Sequence, residues 1–101
     1  MTEWIVRDVS ISGMSKRIRV SDPEKWYGKG EIEVSMWHNK SFTCKDSVRI
    51  MFQSIDDFAM YRDFDEADLD TNWSRCCEIF YNLPETISVQ WLLDHGFEFY
   101  R

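Results

Sequence analysis

Apolar and polar positions alternate through the first half of the chain and then change period in the second. Lys16-Arg17-Ile18-Arg19-Val20-Ser21 alternates basic and apolar residues, and Glu31-Ile32-Glu33-Val34-Ser35-Met36 alternates acidic or polar and apolar ones. A period of two is the mark of a half-buried strand. Trp4 to Ile11 is rich in β-branched residues and predicts a further strand, closed by the turn signal Ser12-Gly13. Asp22-Pro23 opens a turn or one helical turn, with proline suited to its first position. His38-Asn39-Lys40 reads as a hairpin tip, with Ser41 to Cys44 returning as the partner strand.

Residues 46–64 fit two patterns. Val48, Ile50 and Phe52 alternate with Arg49 and Gln53, as in a strand. Val48, Met51, Phe52, Ile55, Phe58 and Ala59 also form one helical stripe. The favoured division is a strand to about Gln53 and a helix from Ser54, with Asp57 completing a Ser-x-x-Asp capping box. A helix over 69–82 follows from Leu69, Trp73, Cys76, Cys77 and Phe80 at i, i+4, i+7, i+8 and i+11. Asp70 is its expected cap, and Leu83-Pro84 its end. A last helix starts from Ser88 and stops at Gly96, the C′ position where a positive φ is wanted. Phe97 to Tyr100 alternates as a final strand. The expected architecture is therefore α+β: a small antiparallel sheet of about four strands, mostly N-terminal, packed against two or three C-terminal helices.

With 101 residues, 1–101 reads as a single compact domain. Its content is 44% apolar and 16% aromatic, which excludes a disordered tail. No apolar run approaches the roughly 18 residues of a membrane span, and the start shows no signal-peptide pattern. Three cysteines, Cys44, Cys76 and Cys77, argue for free thiols in a reducing compartment, hence a cytoplasmic protein. Adjacent Cys76 and Cys77 are too close for an ordinary disulfide.

Charge is uneven. The net value is −6. Residues 1–50 carry nine Lys/Arg against seven Asp/Glu, whereas 51–101 carry three Arg against eleven Asp/Glu. Asp56, Asp57, Asp63, Asp65, Glu66, Asp68 and Asp70 crowd one stretch opposed only by Arg62. On a helix that stretch would span about 22 Å. It would then hold roughly one charge per 3 Å, close to the ~3.4 Å per phosphate of a DNA strand. Tyr61 and Phe64 are interleaved with the acids as candidate anchors. An acidic surface repels phosphates, so nucleic acid and membranes are not expected partners; a basic protein surface is. The plainer alternative is a solvated face whose acids cap helix starts, Asp56 and Asp57 in one first turn and Asp68 and Asp70 in another.

Motifs for catalysis are absent. No P-loop, dinucleotide fingerprint, zinc-protease pair or nucleophile elbow occurs, and Gly28-Lys29-Gly30 is too short to cradle phosphate. An EF-hand beginning at Asp63 would place Asp68 at the glycine position and Ser74 at the glutamate position; one beginning at Asp68 would place Trp73 and Ile79 there. Neither register works. His38, Cys44, Cys76, Cys77 and His95 lack metal-ligand spacing, so no metal or cofactor is expected. Cys76 or Cys77 reads as core, His38 as a solvated tip and His95 as a helix-end cation. The expected class is a non-enzymatic binding protein.

Ile87-Ser88-Val89-Gln90-Trp91-Leu92-Leu93-Asp94-His95-Gly96-Phe97-Glu98 resembles a short pattern of small phage and prophage proteins, in which a Ser/Thr cap precedes a Trp-Leu helix ending in Gly-Phe. The resemblance covers about a tenth of the chain and implies no catalytic residue. By analogy with acidic anti-CRISPR and anti-restriction proteins, it implies an inhibitor that occupies the nucleic-acid-binding surface of a host defence complex or nuclease. Its contacts would be the seven acids above, with Tyr61 and Phe64. The alternative is an immunity protein, antitoxin or virion accessory protein. That would bind through aromatic surface around Trp26-Tyr27 or the basic strand Lys16 to Arg19.

Overall fold

The computed structural model describes residues 2–6, 15–41, 47–54 and 59–99. Strands β1 (Thr2–Val6), β2 (Ser15–Val20), β3 (Glu31–Ser41), β4 (Ser47–Gln53) and β5 (Ala59–Phe64) precede helix α1 (Leu69–Tyr81). Strand β6 (Thr86–Ile87), helix α2 (Val89–Asp94) and strand β7 (Glu98–Phe99) complete the chain. A single 3-10 turn, Pro23–Trp26, links β2 to β3.

The class is α+β, but the expected four-strand antiparallel sheet on two or three helices is too small. The described strands form one seven-stranded mixed sheet in the order β6-β2-β3-β4-β5-β7, with β1 also paired to β3. Only two α-helices occur among the described residues. β6 lies parallel to β2, which makes the sheet mixed; every other pairing is antiparallel.

Two differences enlarge the sheet. First, His38-Asn39-Lys40 is not a hairpin tip. β3 runs eleven residues because β2 pairs with Glu31 to Ser35 while β1 pairs with Trp37 to Ser41 along the same side. His38 lies between Ile5 and Val48 and is 6% exposed, so it is not solvated. Second, residues 59–64 form a strand where a helix was expected. β5 pairs with β4, setting Met60 opposite Phe52 and Phe64 opposite Val48 on the core face. Arg62, between those two apolar residues, hides the period of two from a sequence reading. The Asp57 half of the expected capping box, the return strand 42–44, Cys44 and the end of the first predicted strand lie outside the described residues.

The core is built by parity. Ile18 and Val20 of β2, Ile32, Val34 and Met36 of β3, Val48, Ile50 and Phe52 of β4, and Met60 and Phe64 of β5 join one buried cluster. Cys76 and Phe80 of α1 and Val89 and Leu92 of α2 close it. The predicted helical stripe is therefore realised, with Leu69, Trp73 and Cys77 packed at its margin. Burying side chains of this size contributes about 1.5–3 kcal/mol each.

Local signals fix both helices. Asp68, rather than Asp70, caps α1: its Oδ1 accepts from the Thr71 backbone N–H at 2.8 Å. Ser88 caps α2 as expected, accepting from the Trp91 N–H at 2.9 Å. The Asp22 carboxylate accepts from the Val89 N–H, which ties the 3-10 turn to the start of α2. Gly96 takes φ +83° immediately after α2. No helix among the described residues is long and apolar enough to cross a membrane.

Candidate interaction surfaces

Alternation along each strand gives the sheet two faces. The helices cover one. The other carries Arg17 and Arg19 of β2, Glu31, Glu33, Ser35 and Trp37 of β3, Arg49, Met51 and Gln53 of β4, and Tyr61 and Asp63 of β5. Cross-strand register aligns these into rows: Trp37–Arg49–Asp63, then Ser35–Met51–Tyr61–Glu98, then Arg17–Glu33–Gln53. Trp37, Met51 and Tyr61 are half-buried at its centre.

Within this face the Arg49 Nε and Nη2 donate to the two oxygens of Asp63 at 2.6 and 3.1 Å. The Arg49 guanidinium carbon also lies 4.2 Å from the centroid of the Tyr61 ring. The arginine side chain is 12% exposed and the aspartate's 35%. A bidentate fork against an aromatic ring holds both groups in one geometry. Beside it, a groove of about 370 Å³ is lined by Arg17, Glu31, Glu33, Ser35, Gln53 and Ser54, among others.

The acidic stretch does not form one helical ribbon. Asp56 and Asp57 lie outside the described residues. Asp63 and Tyr61 face outward from β5, whereas Phe64 points into the core at 2% exposure and is not available as a surface anchor. Asp65 and Glu66 lie in the turn after β5, Asp68 caps α1, and Asp70 stands in its first turn. Glu66 accepts from Arg75 Nη1, and this hydrogen bond, with the nearby positive charge, holds its carboxyl below the usual range. The Thr71 N–H does the same for Asp68. Three of the five described acids are thus engaged by the fold itself.

Asp65 and Asp70 remain exposed, and Glu78 joins them on the solvent side of α1. Sequence reading missed Glu78 because it ended the acidic run at Asp70; the i+8 spacing on a helix was the available signal. Arg62, the cation of the stretch, turns back into the fold. Its Nη1 donates to the His95 carbonyl at 3.0 Å, and its guanidinium carbon lies 4.3 Å from the Phe64 centroid.

Other candidates resolve into structure. Trp26 is fully buried, so the expected aromatic surface around Trp26-Tyr27 reduces to Tyr27, 65% exposed. The Gly28 and Lys29 amides donate to Pro23 and Trp26 carbonyls and close the turn. Burial, reinforced by neighbouring Cys77, pushes the Cys76 thiol up to about 12, so it stays protonated and unreactive at neutral pH. His95 ends α2 as expected, its ring stacked on Trp91 at 3.8 Å. Among the described residues no three His, Cys, Asp or Glu side chains group as metal ligands.

No protein-family model matches this chain, and comparison with curated proteins and with solved structures gives no match.

Proposed function

We propose that this chain is a non-enzymatic acidic binding module that attaches to a basic protein surface of the kind built for nucleic acid. Its contacts are the corner formed by Asp65, Glu66, Asp70 and Glu78.

One observation carries this reading. Residues 59–99 hold nine Asp/Glu against two Arg; Arg62 donates to the His95 carbonyl and Arg75 to Glu66. Arg75 offsets Glu66, and the excess of carboxylates carried by exposed Asp65, Asp70 and Glu78 leaves this stretch net negative. The resulting field steers encounter and selects a cationic partner. It repels phosphates, which argues against direct binding of nucleic acid. Inhibition of a host defence complex or nuclease is the finer form of the proposal, supported by the phage-like C-terminal segment alone.

The test is capture from bacterial lysate by the immobilised chain and by an Asp65→Lys/Asp70→Lys/Glu78→Lys variant. All three side chains are exposed, so the variant keeps the fold, as circular dichroism would verify. The wild type should retain a basic nucleic-acid-binding protein, and the retained amount should fall steeply with salt. Equal retention by the variant would remove the basis of the reading.

A further inference from the structure

We infer that the outer edge of β2 is a strand-addition site, on which an extended acidic segment of another protein pairs beside Arg17. The basis is the direction of the backbone bonds along β2. The Val20 N–H donates toward β3, to the Gly30 carbonyl at 2.9 Å. The Arg19 and Ser21 N–H groups donate the other way, to the Glu85 and Ile87 carbonyls at 3.3 and 2.8 Å. Inward and outward bonds alternate along an antiparallel strand, so Arg17 and Ser15 aim their N–H and C=O outward as Arg19 does. β6 reaches only Arg19 and Val20. Among the described residues no other strand pairs with this edge of β2. A groove of about 390 Å³ opens there, lined by Arg17, Ile18, Arg19, Glu31, Glu85 and Thr86. A strand seated in it continues the line of β6 along β2, ahead of Thr86.

Charge decides which strand fits. β2 carries Lys16, Arg17 and Arg19 and no acid. Arg17 and Arg19 are exposed on the open face, and Lys16 is on the covered side with its Nζ 4.8 Å from the Phe80 centroid. Glu31 lies one strand further in, and its contact with Arg17, 3.7 Å between exposed side chains, is a weak tie. Glu85 stands at the end of the groove where β6 begins. A second copy's β2 centred on Arg17 sets that residue against itself, and like charges directly opposite destabilise a strand pair. The cations thus guard the edge against pairing with its own kind. An acid opposite Arg17 gains the favourable pair instead, and its apolar neighbours then lie beside Ile18 and extend the covered face. Main-chain bonds supply affinity in this mode and the alternate side chains supply selectivity. Because only two residues offer outward groups, the complex is weak, with a dissociation constant on the order of 1 mM.

Nuclear magnetic resonance on the full chain tests this with a blocked Thr-Val-Glu-Val-Glu-Val-Thr peptide and its counterpart carrying lysine for glutamate. The acidic peptide, taken to about 3 mM, should shift the Arg17 amide and slow its hydrogen exchange. The lysine peptide should leave that amide alone; shifts it causes on α1 belong to the acidic corner and not to this edge. Arg17→Pro removes the outward donor at a position where an edge strand tolerates proline. It should keep the spectrum of the fold and weaken the acidic peptide about fivefold or more. Arg17→Glu keeps the backbone and should reverse the preference between the peptides. An Arg17 amide that already resists exchange in the free chain overturns the inference, because the chain then covers its own edge. So does an Arg17 amide that the acidic peptide leaves unshifted, or binding that both Arg17 variants leave unchanged.

Discussion

The two faces of the sheet are made by the same strands, one residue out of step. On the covered face, Val34, Met36, Val48, Ile50, Phe52 and Met60 are wholly buried. On the open face their immediate neighbours are Ser35, Trp37, Arg49, Met51, Gln53 and Tyr61, mostly half-buried and joined by ionic and cation–π contacts. The first face holds the molecule together, and its free energy comes from removing apolar area from water. The second is only half-buried, removes less apolar area from water and so contributes less to stability. Adjacent residues of one strand should therefore differ several-fold in what their substitution costs.

The sharpest form of that contrast is Phe52 against Met51. Phe52 packs edge-on against Phe97, centroids 5.1 Å apart, beneath α2. Phe52→Ala should cost about 3–5 kcal/mol in a denaturant titration, from lost transfer and the cavity left behind. Met51→Ala, one residue earlier, should cost about 1 kcal/mol or less, because a half-buried side chain leaves no enclosed void. Equal losses at the two positions would mean that the open face is a second core, and the division of labour would fail.

Gly96 tests how the covered face is closed at its margin. Its φ of +83° is strained for any side chain, and a Cβ there would meet the Arg62 Cδ and Nε at 3.3 Å. Arg62 cannot easily retreat, because its Nη1 holds the His95 carbonyl. Gly96→Ala should therefore destabilise by about 1–2 kcal/mol. Gly30→Ala should cost less, since nothing lies within 4 Å of the added carbon and no positive φ is required there.

How much of this could be read from sequence follows from the range of each signal. Local ones were legible. The Ser88 cap, the Gly96 stop and the stripe from Leu69 to Phe80 depend on residues within a few positions of one another. Partner-dependent ones were not. His38 is a buried strand residue because β1 and β4 pair with β3 on either side of it. The strand character of β5 was masked by Arg62, whose charge is tolerated on the core side because a distant carbonyl, 33 residues on, accepts its hydrogen bond. The candidate site suffered in the same way. The acidic composition was visible, but Arg49 meeting Asp63 and Arg75 meeting Glu66 are tertiary facts. Composition alone could not tell a free carboxylate from an engaged one.

On the open face, the Arg49–Asp63 pair provides a smaller test. Its partners are partly exposed, so solvent screens the attraction, but the fork is bidentate and the Tyr61 ring backs the guanidinium. A double-mutant cycle of Arg49→Ala and Asp63→Ala should return a coupling of about 0.5–1 kcal/mol. The coupling should fall in high salt. A value near zero would show that the pair is geometry without energy, and the open face would then lack a pre-formed element.

The smallest effect is at an engaged acid. Asp68 has its pKa lowered from 3.8 because the Thr71 N–H donates to its carboxylate. The sign follows from linkage: a depressed folded pKa means that the unfolded chain binds the proton more readily. The cap's contribution is therefore complete above the unfolded value near 3.8, and it is lost as the pH falls through the lower folded value. Asp68→Asn keeps the capping oxygen but removes the titration. The variant should lose less stability than the wild type between neutral pH and about pH 3, as denaturant titrations at each pH would read. The Thr71 amide, followed by hydrogen exchange, reports the same event locally. If Asp68→Asn keeps the full acid limb of the wild type, the bond from Thr71 does not carry the titration, and the Asp68 cap is geometry without a proton linkage.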